Sequence, residues 1–475
     1  MAASLEMASS SGSSERAALD GALLSRLDDS ALTARHIRIY LTVLAGHFLC
    51  GFIINVTGVI LPGIIETFHL TSRQAGLFSS ALFAGMLVGA AAAGQVSDRF
   101  GRAVPLAVCV LSFALFSLLA VFAWDYFSLL GFRALQGVAL GAEIAVALPY
   151  IAEFAPSRRR GPMVAMATAA WLIGLPVAAA VGTAVVPAFG WRAMFVVGTV
   201  PVLIGLLMLA TLPESVRYLL RRERVDTART IVDWLCPAEP KRHNVIEPDQ
   251  SATATGSLRT LVSRPYLRYT LSLWLMEVCA GAFLYGLSSW LPAVLKRRGV
   301  ELLESFGYTA IITTVAVVGS ILAGQLINRV GRRTVLSASF LISGLLCVAW
   351  GTVSSGLAVV VFGSAAIFFG TGLAGSTLFT YAAELYPTAS RASGLGWAAA
   401  WQKVGGLIMP ALVGYVLAVH TSTFFFFVLF GVISLIAAMT ALAATFETRD
   451  KSVEEITRQI NANAEAPAAP KQPNR

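Results

Sequence analysis

Charge is scarce in this sequence. Asp, Glu, Lys and Arg make up 13% of its 475 residues, about half the roughly 25% found in soluble globular proteins. Hydrophobic side chains reach 56%, and the mean hydropathy is +0.73. A cytosolic enzyme, a disordered scaffold and a secreted disulfide protein are all excluded, and the chain reads as an integral membrane protein. Cysteine is sparse too. Cys50, Cys109, Cys236, Cys279 and Cys347 are odd in number, form no C-x-x-C pair and fall mostly inside apolar segments, so neither a disulfide framework nor a zinc site is expected. The first 36 residues are rich in Ser and Ala and lack an apolar core, so no cleavable signal peptide is read there. No phosphate-binding glycine loop, metal-ligand cluster or nucleophile–base set is present. The expectation is therefore no enzyme, no catalytic residue, no metal and no cofactor. The net charge of +9 comes with no nucleic-acid-binding motif, so nucleic acid is not an expected partner.

What the sequence has instead is long apolar runs of about 20 residues, enough to cross a bilayer core. Twelve recur, near 39–61, 76–95, 104–123, 127–149, 164–187, 193–212, 268–292, 305–327, 334–353, 357–383, 395–417 and 423–445. They lack barrel-like alternation, and lipid satisfies no open backbone, so each is expected to be a helix. Of the 35 Lys and Arg residues, 28 fall on the side that holds both termini, five on the other side and two, Arg133 and Lys403, within spans. That bias places both termini in the cytoplasm. The expected organisation is a disordered cytoplasmic N-terminus over 1–36, six spans over 37–213, a linker over 214–266, six spans over 267–446 and a cytoplasmic tail over 447–475. Within the linker, Val216 to Leu235 reads as one amphipathic helix and the stretch after Cys236 as loop. The tail from about Asn461 reads as disordered.

The two halves repeat. Gly94-Gln-Val-Ser-Asp98-Arg99-Phe-Gly101-Arg102 returns 230 residues later as Gly324-Gln-Leu-Ile-Asn328-Arg329-Val-Gly331-Arg332. Tyr150-Ile-Ala-Glu153 returns at offset 231 as Tyr381-Ala-Ala-Glu384, and Glu214 has its counterpart in Glu447 at offset 233. Six spans separate the copies, so the halves share one orientation, the parallel-repeat plan of one transporter class.

These residues carry a resemblance. The G-x-x-x-D-R-x-G-R loop after the second run resembles the signature of the major facilitator superfamily, and Arg133-Ala-Leu-Gln136-Gly137 resembles its R-x-x-Q-G motif. Pro213-Glu214-Ser215-Val-Arg217 and the segment from Glu447 to Glu455 are similar to those of sugar-porter-like branches. Arg26-Leu27-Asp28, Gly141-Ala142-Glu143, Ser289-Trp290-Leu291-Pro292 and Gly396-Trp397 with Lys403 look most like the metabolite:proton symporters that include aromatic-acid and nicotinate-type carriers. The sugar-porter glutamine pattern in span seven and the G-P-x-P-W pattern in span ten are absent. Absent too is the F-D-G-F-D of related symporters, since span one reads Leu49-Cys50-Gly51-Phe52-Ile53. The resemblance covers about residues 35–456. It implies twelve helices in two pseudo-symmetric six-helix bundles, an all-α membrane fold that works by alternating access.

Ionisable residues at bilayer depth cost about 2.5–3.5 kcal/mol each on insertion scales and mark function by default. Arg133, Glu143, Glu277 and Lys403 lie well inside spans, with His47 a fifth titratable group. Glu277 and Lys403 each sit about nine residues from a span end, about 13–14 Å deep at 1.5 Å per residue. They are expected either to pair, functionally or as a fixed structural pair, or to act with Lys403 meeting an anionic substrate while Glu277 tunes it. Gln136 and Glu143 are seven apart, near one helix face, with Arg133 adjoining. That stripe is expected to face a central cavity, making Glu143 the best remaining proton acceptor; His47 reads as a hydrogen-bonded packing residue. Asn55 and Gln402 add polar positions on the same spans as His47 and Lys403. Phe52, Trp171, Tyr285, Trp397 and Trp401 offer stacking surfaces, whereas Trp290 suits a membrane interface.

A conformational gate is implied by the resemblance, in which Gly94, Asp98, Arg99, Gly101, Arg102, Arg217, Arg329, Arg332 and Arg391 act with Glu153, Glu214, Glu384 and Glu447. Asp98 is expected at a helix N-terminus of the opposite half, and the acidic residues in clusters that break as the halves rock. The function expected is secondary active transport of a small polar metabolite, an organic or aromatic acid anion taken up with protons. A sugar or other metabolite symporter or uniporter is the alternative, and a non-transporting sensor the remoter one. Substrate, protons and the lipid bilayer are the expected partners, the protein working as a monomer in a plasma membrane of bacterial inner-membrane type.

Overall fold

The computed structural model describes residues 19–237, 258–420, 422–449, 451 and 453–465. Among them, twelve helices are long and apolar enough to cross a membrane. These spans are Ala34–Thr67, Ser72–Phe100, Ala103–Val121, Tyr126–Phe154, Ser157–Phe189, Arg192–Thr211, Leu267–Arg297, Leu302–Val330, Arg332–Thr352, Gly356–Leu385, Ser393–Val419 and Phe424–Ala444. Each contains or closely matches one apolar run. Most extend several residues further at one end, because backbone hydrogen bonding continues past the apolar stretch into polar sequence. Span six breaks at Gly198–Val200, ahead of Pro201, whose missing N–H and ring interrupt the ladder. Spans seven and ten each carry a π-helical stretch, Ala282–Gly286 and Phe368–Gly375, a local widening that is common at functional sites.

The chain forms two compact units. The described residues within Met1–Leu70 and Ala81–Asp249 make the first, and those within Thr71–Ser80 and Gln250–Arg475 the second. The boundary cuts across span two, whose opening turns group with span eleven: the Ala411 amide donates to Ser80 Oγ at 3.2 Å. In the first unit, spans one and five meet backbone to backbone at Gly51, where a Cβ would lie 2.1 Å from the Trp171 carbonyl oxygen. In the second, spans seven and eleven do the same at Gly281, whose Cβ would meet the Gln402 carbonyl at 1.9 Å. Small residues permit such approach where lipid offers no hydrophobic drive.

Three terminal and linker expectations are corrected. Residues 19–28 are helical rather than disordered; Leu23 and Leu27 are buried, and Arg26 pairs with Asp233 at 2.9 Å. Asp28 pairs with Arg160 and accepts at its carbonyl from Ser157 Oγ. The segment is held because it has apolar and charged partners that its composition does not disclose. The linker helix is two helices, Val216–Arg221 and Val225–Leu235, broken where Glu223 takes φ +62°. The helix Val453–Glu465 runs through Asn461, anchored by Ile456 and Ile460 in a core cluster with Leu261, Tyr386 and Leu385. Residues 1–18, the loop expected over 238–257 and the tail beyond 465 lie outside the described residues.

Candidate functional site

Each unit holds a buried polar cluster inside its helices and a charged cluster at one end. In the first unit, His47 Nδ1 of span one lies 3.1 Å from Oε1 and 3.3 Å from Oε2 of Glu143 on span four. Glu143 is fully buried and His47 is 2% exposed. When the carboxylate is ionised, Nδ1 must carry the hydrogen; when the imidazole is charged, the two form an ion pair. Asn55, eight residues along, donates from Nδ2 to the Gly51 carbonyl at 2.8 Å, while its buried Oδ1 has no hydrogen-bond partner among the described residues. Phe52 is buried nearby on the same helix.

Arg133 and Gln136, on the same helix as Glu143, are both engaged by neighbouring spans of the first unit. Arg133 donates through Nη1 to Gln136 Oε1 at 2.6 Å and through Nη2 to Thr57 Oγ1 of span one. Its guanidinium stands over the Phe195 ring of span six. Gln136 Nε2 donates to the Phe113 carbonyl at 3.0 Å and Ser117 Oγ at 2.8 Å, both on span three. Both residues are wholly buried and tie span four to three neighbours. Helical spacing fixes a side chain's direction from its axis but not which neighbouring helix lies there. His47 and Glu143 were each visible in the sequence; their partnership was not.

In the second unit, Lys403 Nζ donates to Tyr285 Oη at 2.6 Å and to Gln402 Oε1 at 3.2 Å, and it lies 4.9 Å from the Tyr285 ring centre. Gln402 Nε2 in turn donates to Glu277 Oε2 at 3.4 Å. Glu277 is 4% exposed and Lys403 7%. Span seven therefore supplies Glu277 and Tyr285, and span eleven supplies Gln402 and Lys403, across the close contact at Gly281. Beside them is an indole cluster that the sequence reading missed in part. Trp274 stacks on Trp401 at 5.4 Å and tilts against Trp397 at 5.8 Å. Trp274 lies three residues before Glu277 on the same helix, the one signal that would have found it. Trp171 of span five is half-buried. Trp290 Nε1 donates to the Pro410 carbonyl at 3.1 Å, so it is packed inside its unit rather than lying at an interface.

The charged clusters repeat in detail. Glu214 Oε1 accepts from the amides of Arg102 (2.7 Å), Ala103 (3.3 Å) and Ser215 (2.8 Å), capping the start of span three. Arg102 pairs with Glu153 at 2.9 Å, and Ser215 Oγ donates to Glu153 at 2.5 Å. In the second unit, Glu447 accepts from the amides of Arg332 (2.8 Å), Arg333 (3.1 Å) and Arg449 (3.0 Å). Arg332 grips Glu384 through Nη2 at 2.8 Å and Nε at 3.1 Å, and Thr448 Oγ1 donates to Glu384 at 2.6 Å. Gly101 and Gly331 take φ +89° and +100°, and a Cβ on either would meet the capping carboxylate at 2.3 Å.

Every partner named in these clusters belongs to the same unit as its carboxylate. Asp98 lies against Arg221, 3.5 Å away, and is largely exposed. Arg99 and Arg329 serve through their carbonyls, which accept from Tyr218 and Arg449. Arg217 is exposed and Arg391 half-buried; neither joins the carboxylate clusters. A Cβ at Gly94 would meet nothing within 4 Å.

The model of the Major Facilitator Superfamily matches residues 43–410 and 309–472. The chain is 29% identical over 436 residues to the niacin transporter NiaP of Acinetobacter baylyi, covering 91% of this chain and 99% of that one. It is 26% identical to the benzoate transport protein of the same organism, covering 87% and 90%. A metabolite transport protein of Bacillus subtilis, itself assigned provisionally, is 30% identical over 84% of this chain and 88% of its own length. Among solved structures, the xylose transporter XylE from E. coli superposes with a TM-score of 0.71 at 18% identity, covering 88% of this chain and all of that one. A bacterial homolog of the human lysosomal transporter Spinster gives 0.70 at 17%, covering 92% and 100%. These last two speak to the fold alone. With the family model spanning most of its length and the motif loops built as paired carboxylate-capped turns, the chain belongs to the Major Facilitator Superfamily.

Proposed function

We propose that the protein is a proton-coupled carrier that takes up a small aromatic or organic acid anion by alternating access. The observation that carries the reading is the enclosed His47–Glu143 pair. A carboxylate and an imidazole in contact, away from water, hold or release a proton according to which surface they are opened to. This pair takes the place of the span-one aspartates that the sequence lacks. The substrate class rests on the relatives, which carry niacin and benzoate, and on the buried Lys403 as counter-charge for a carboxylate. Phe52, Asn55, Trp171, Trp397 and Gln402 are the flanking contacts in this reading.

The bias of basic residues supports both termini in the cytoplasm and a plasma membrane of bacterial inner-membrane type, the protein acting as a monomer with no nucleic-acid partner. The Glu214 and Glu447 clusters then brace the cytoplasmic end of each bundle, so that each moves as a rigid body. The test is uptake into proteoliposomes of radiolabelled benzoate, nicotinate and, as the rival class, xylose, with and without an inward-directed proton gradient. Benzoate or nicotinate accumulation that needs the gradient supports the reading. Xylose accumulation in their place overturns the substrate class, and a Glu143→Gln carrier that moves as many protons per substrate as the wild type overturns the role of the pair.

A further inference from the structure

His47 and Glu277 occupy equivalent positions of the internal repeat, 230 residues apart, the offset that relates the two glycine-rich loops. Each unit thus buries one titratable side chain at the same level of its first helix, and each contacts a polar side chain from a neighbouring helix. The second of these sites differs in carrying a fixed cation. Lys403 is held by Tyr285 and by Gln402 Oε1, while the other end of the Gln402 amide reaches Glu277. One amide therefore spans the ammonium and the carboxylate, and both lie within a single electrostatic neighbourhood. Tyr285 sits in the π-helical stretch Ala282–Gly286, which turns its hydroxyl to the ammonium. Gly281 lets span eleven approach closely enough for Gln402 to bridge.

The surrounding charge is simple. Span twelve brings no titratable side chain over Phe424–Ala444, and span eleven brings Lys403 with the remote Tyr415. Span ten brings Tyr381 and Glu384, the latter committed to Arg332 and Thr448. Span seven adds Cys279 and Tyr285, with Arg268 and Tyr269 near one end and Lys296 and Arg297 at the other. Where Glu277 is ionised in the free protein, its carboxylate and the Lys403 ammonium balance each other, with Gln402 between them. A second carboxylate entering this enclosed site would leave it with a net negative charge unless one acid is neutralised.

We propose that Glu277, Gln402, Lys403 and Tyr285 form a site within the second unit that binds an anion and a proton together. The substrate carboxylate takes the Lys403 ammonium as its partner, and Glu277 takes one proton from water and becomes a neutral acid. The Gln402 amide remains bound to both. The site stays neutral before and after, and one proton enters with each anion. The Trp274–Trp401 pair lies on the adjoining turns of the same two helices and supplies an aromatic wall. This deepens the transport reading above and rests on it, but it places a coupled proton in the second unit, apart from His47–Glu143.

The experiment is equilibrium binding of radiolabelled benzoate to the detergent-purified full chain across a pH series. One linked proton predicts wild-type affinity falling about tenfold per pH unit wherever Glu277 is ionised in the free protein. Glu277→Gln is expected to flatten that slope, and Lys403→Gln to weaken binding at least about tenfold at every pH, the loss of one charged partner. Size-exclusion profiles identify any variant that has not folded; the wild-type slope, with direct measurement of protons taken up from a weakly buffered solution on adding benzoate, then carries the test alone. A slope that persists in folded Glu277→Gln, or wild-type binding without proton uptake, overturns the joint site while leaving transport intact. Failure of the wild type to bind or transport either benzoate or nicotinate overturns the transport reading and the joint site together.

Discussion

Replacing Glu214 by Ala removes one carboxylate that holds three amides at a helix start. Its Oε1 accepts from Arg102, Ala103 and Ser215 at 2.7, 3.3 and 2.8 Å. A hydrogen bond to a charged group contributes about 1.5–3 kcal/mol. The site is half-buried and water replaces part of what is lost, so two short bonds at the lower end and little from the long one give about 3 kcal/mol. For units of this size about 2–4 °C accompanies each kcal/mol, so the unfolding midpoint should fall by about 6–12 °C. Glu214→Gln keeps one acceptor oxygen but no charge and should lose about half as much. Glu447→Ala, which strips three amides from the equivalent turn, should match Glu214→Ala. Thiol-reactive fluorescence reads the transition directly, because the thiols of Cys236, Cys279 and Cys347 are buried and in no disulfide among the described residues. A shift under about 2 °C for Glu214→Ala would refute the claim that the cap anchors this end of the unit.

Gly331→Ala forces a side chain into φ +100° and onto the Glu447 carboxylate; the backbone alone costs roughly 1–2 kcal/mol, and the melting midpoint should drop, with Gly324→Ala as the silent control. Cys236 is buried beneath the segment held by Arg26 and Asp28, and burial raises its thiol above the ordinary value. Arg26→Ala should speed its maleimide labelling about tenfold if roughly 1.4 kcal/mol of local stability is lost. Asp125 caps span four through Ser128, whose backbone amide holds the carboxyl below its ordinary 3.8. Its contribution is therefore full above pH 3.8 and lost as pH falls through the lower folded value. Circular dichroism melts of Asp125→Ala should accordingly lie below wild type at neutral pH and converge with it in acid.

Much of this architecture was readable in advance, and what escaped has a common cause. The twelve spans follow from apolar length, and the two glycine loops and the Glu214–Glu447 match stood out as separate elements of the repeat, though not that each carboxylate caps its loop. A repeat shows that two segments are equivalent without showing which partner each one meets. His47 and Glu143 lie 96 residues apart and no local pattern joins them. Trp274 carries no sequence signal of its own, because an indole in an apolar run looks like packing until its neighbours on span eleven are known. The helix at 19–28 looked polar and unstructured because its stability comes from Asp233, Arg160 and buried leucines rather than from its own composition.

The most direct measurement is the simultaneous recording of lumenal pH and benzoate entry in proteoliposomes. The wild type should acidify the lumen in step with benzoate, and Glu143→Gln should bring in neither against a gradient. Benzoate accumulation with an unchanged lumenal pH, or undiminished acidification by Glu143→Gln, would contradict the account.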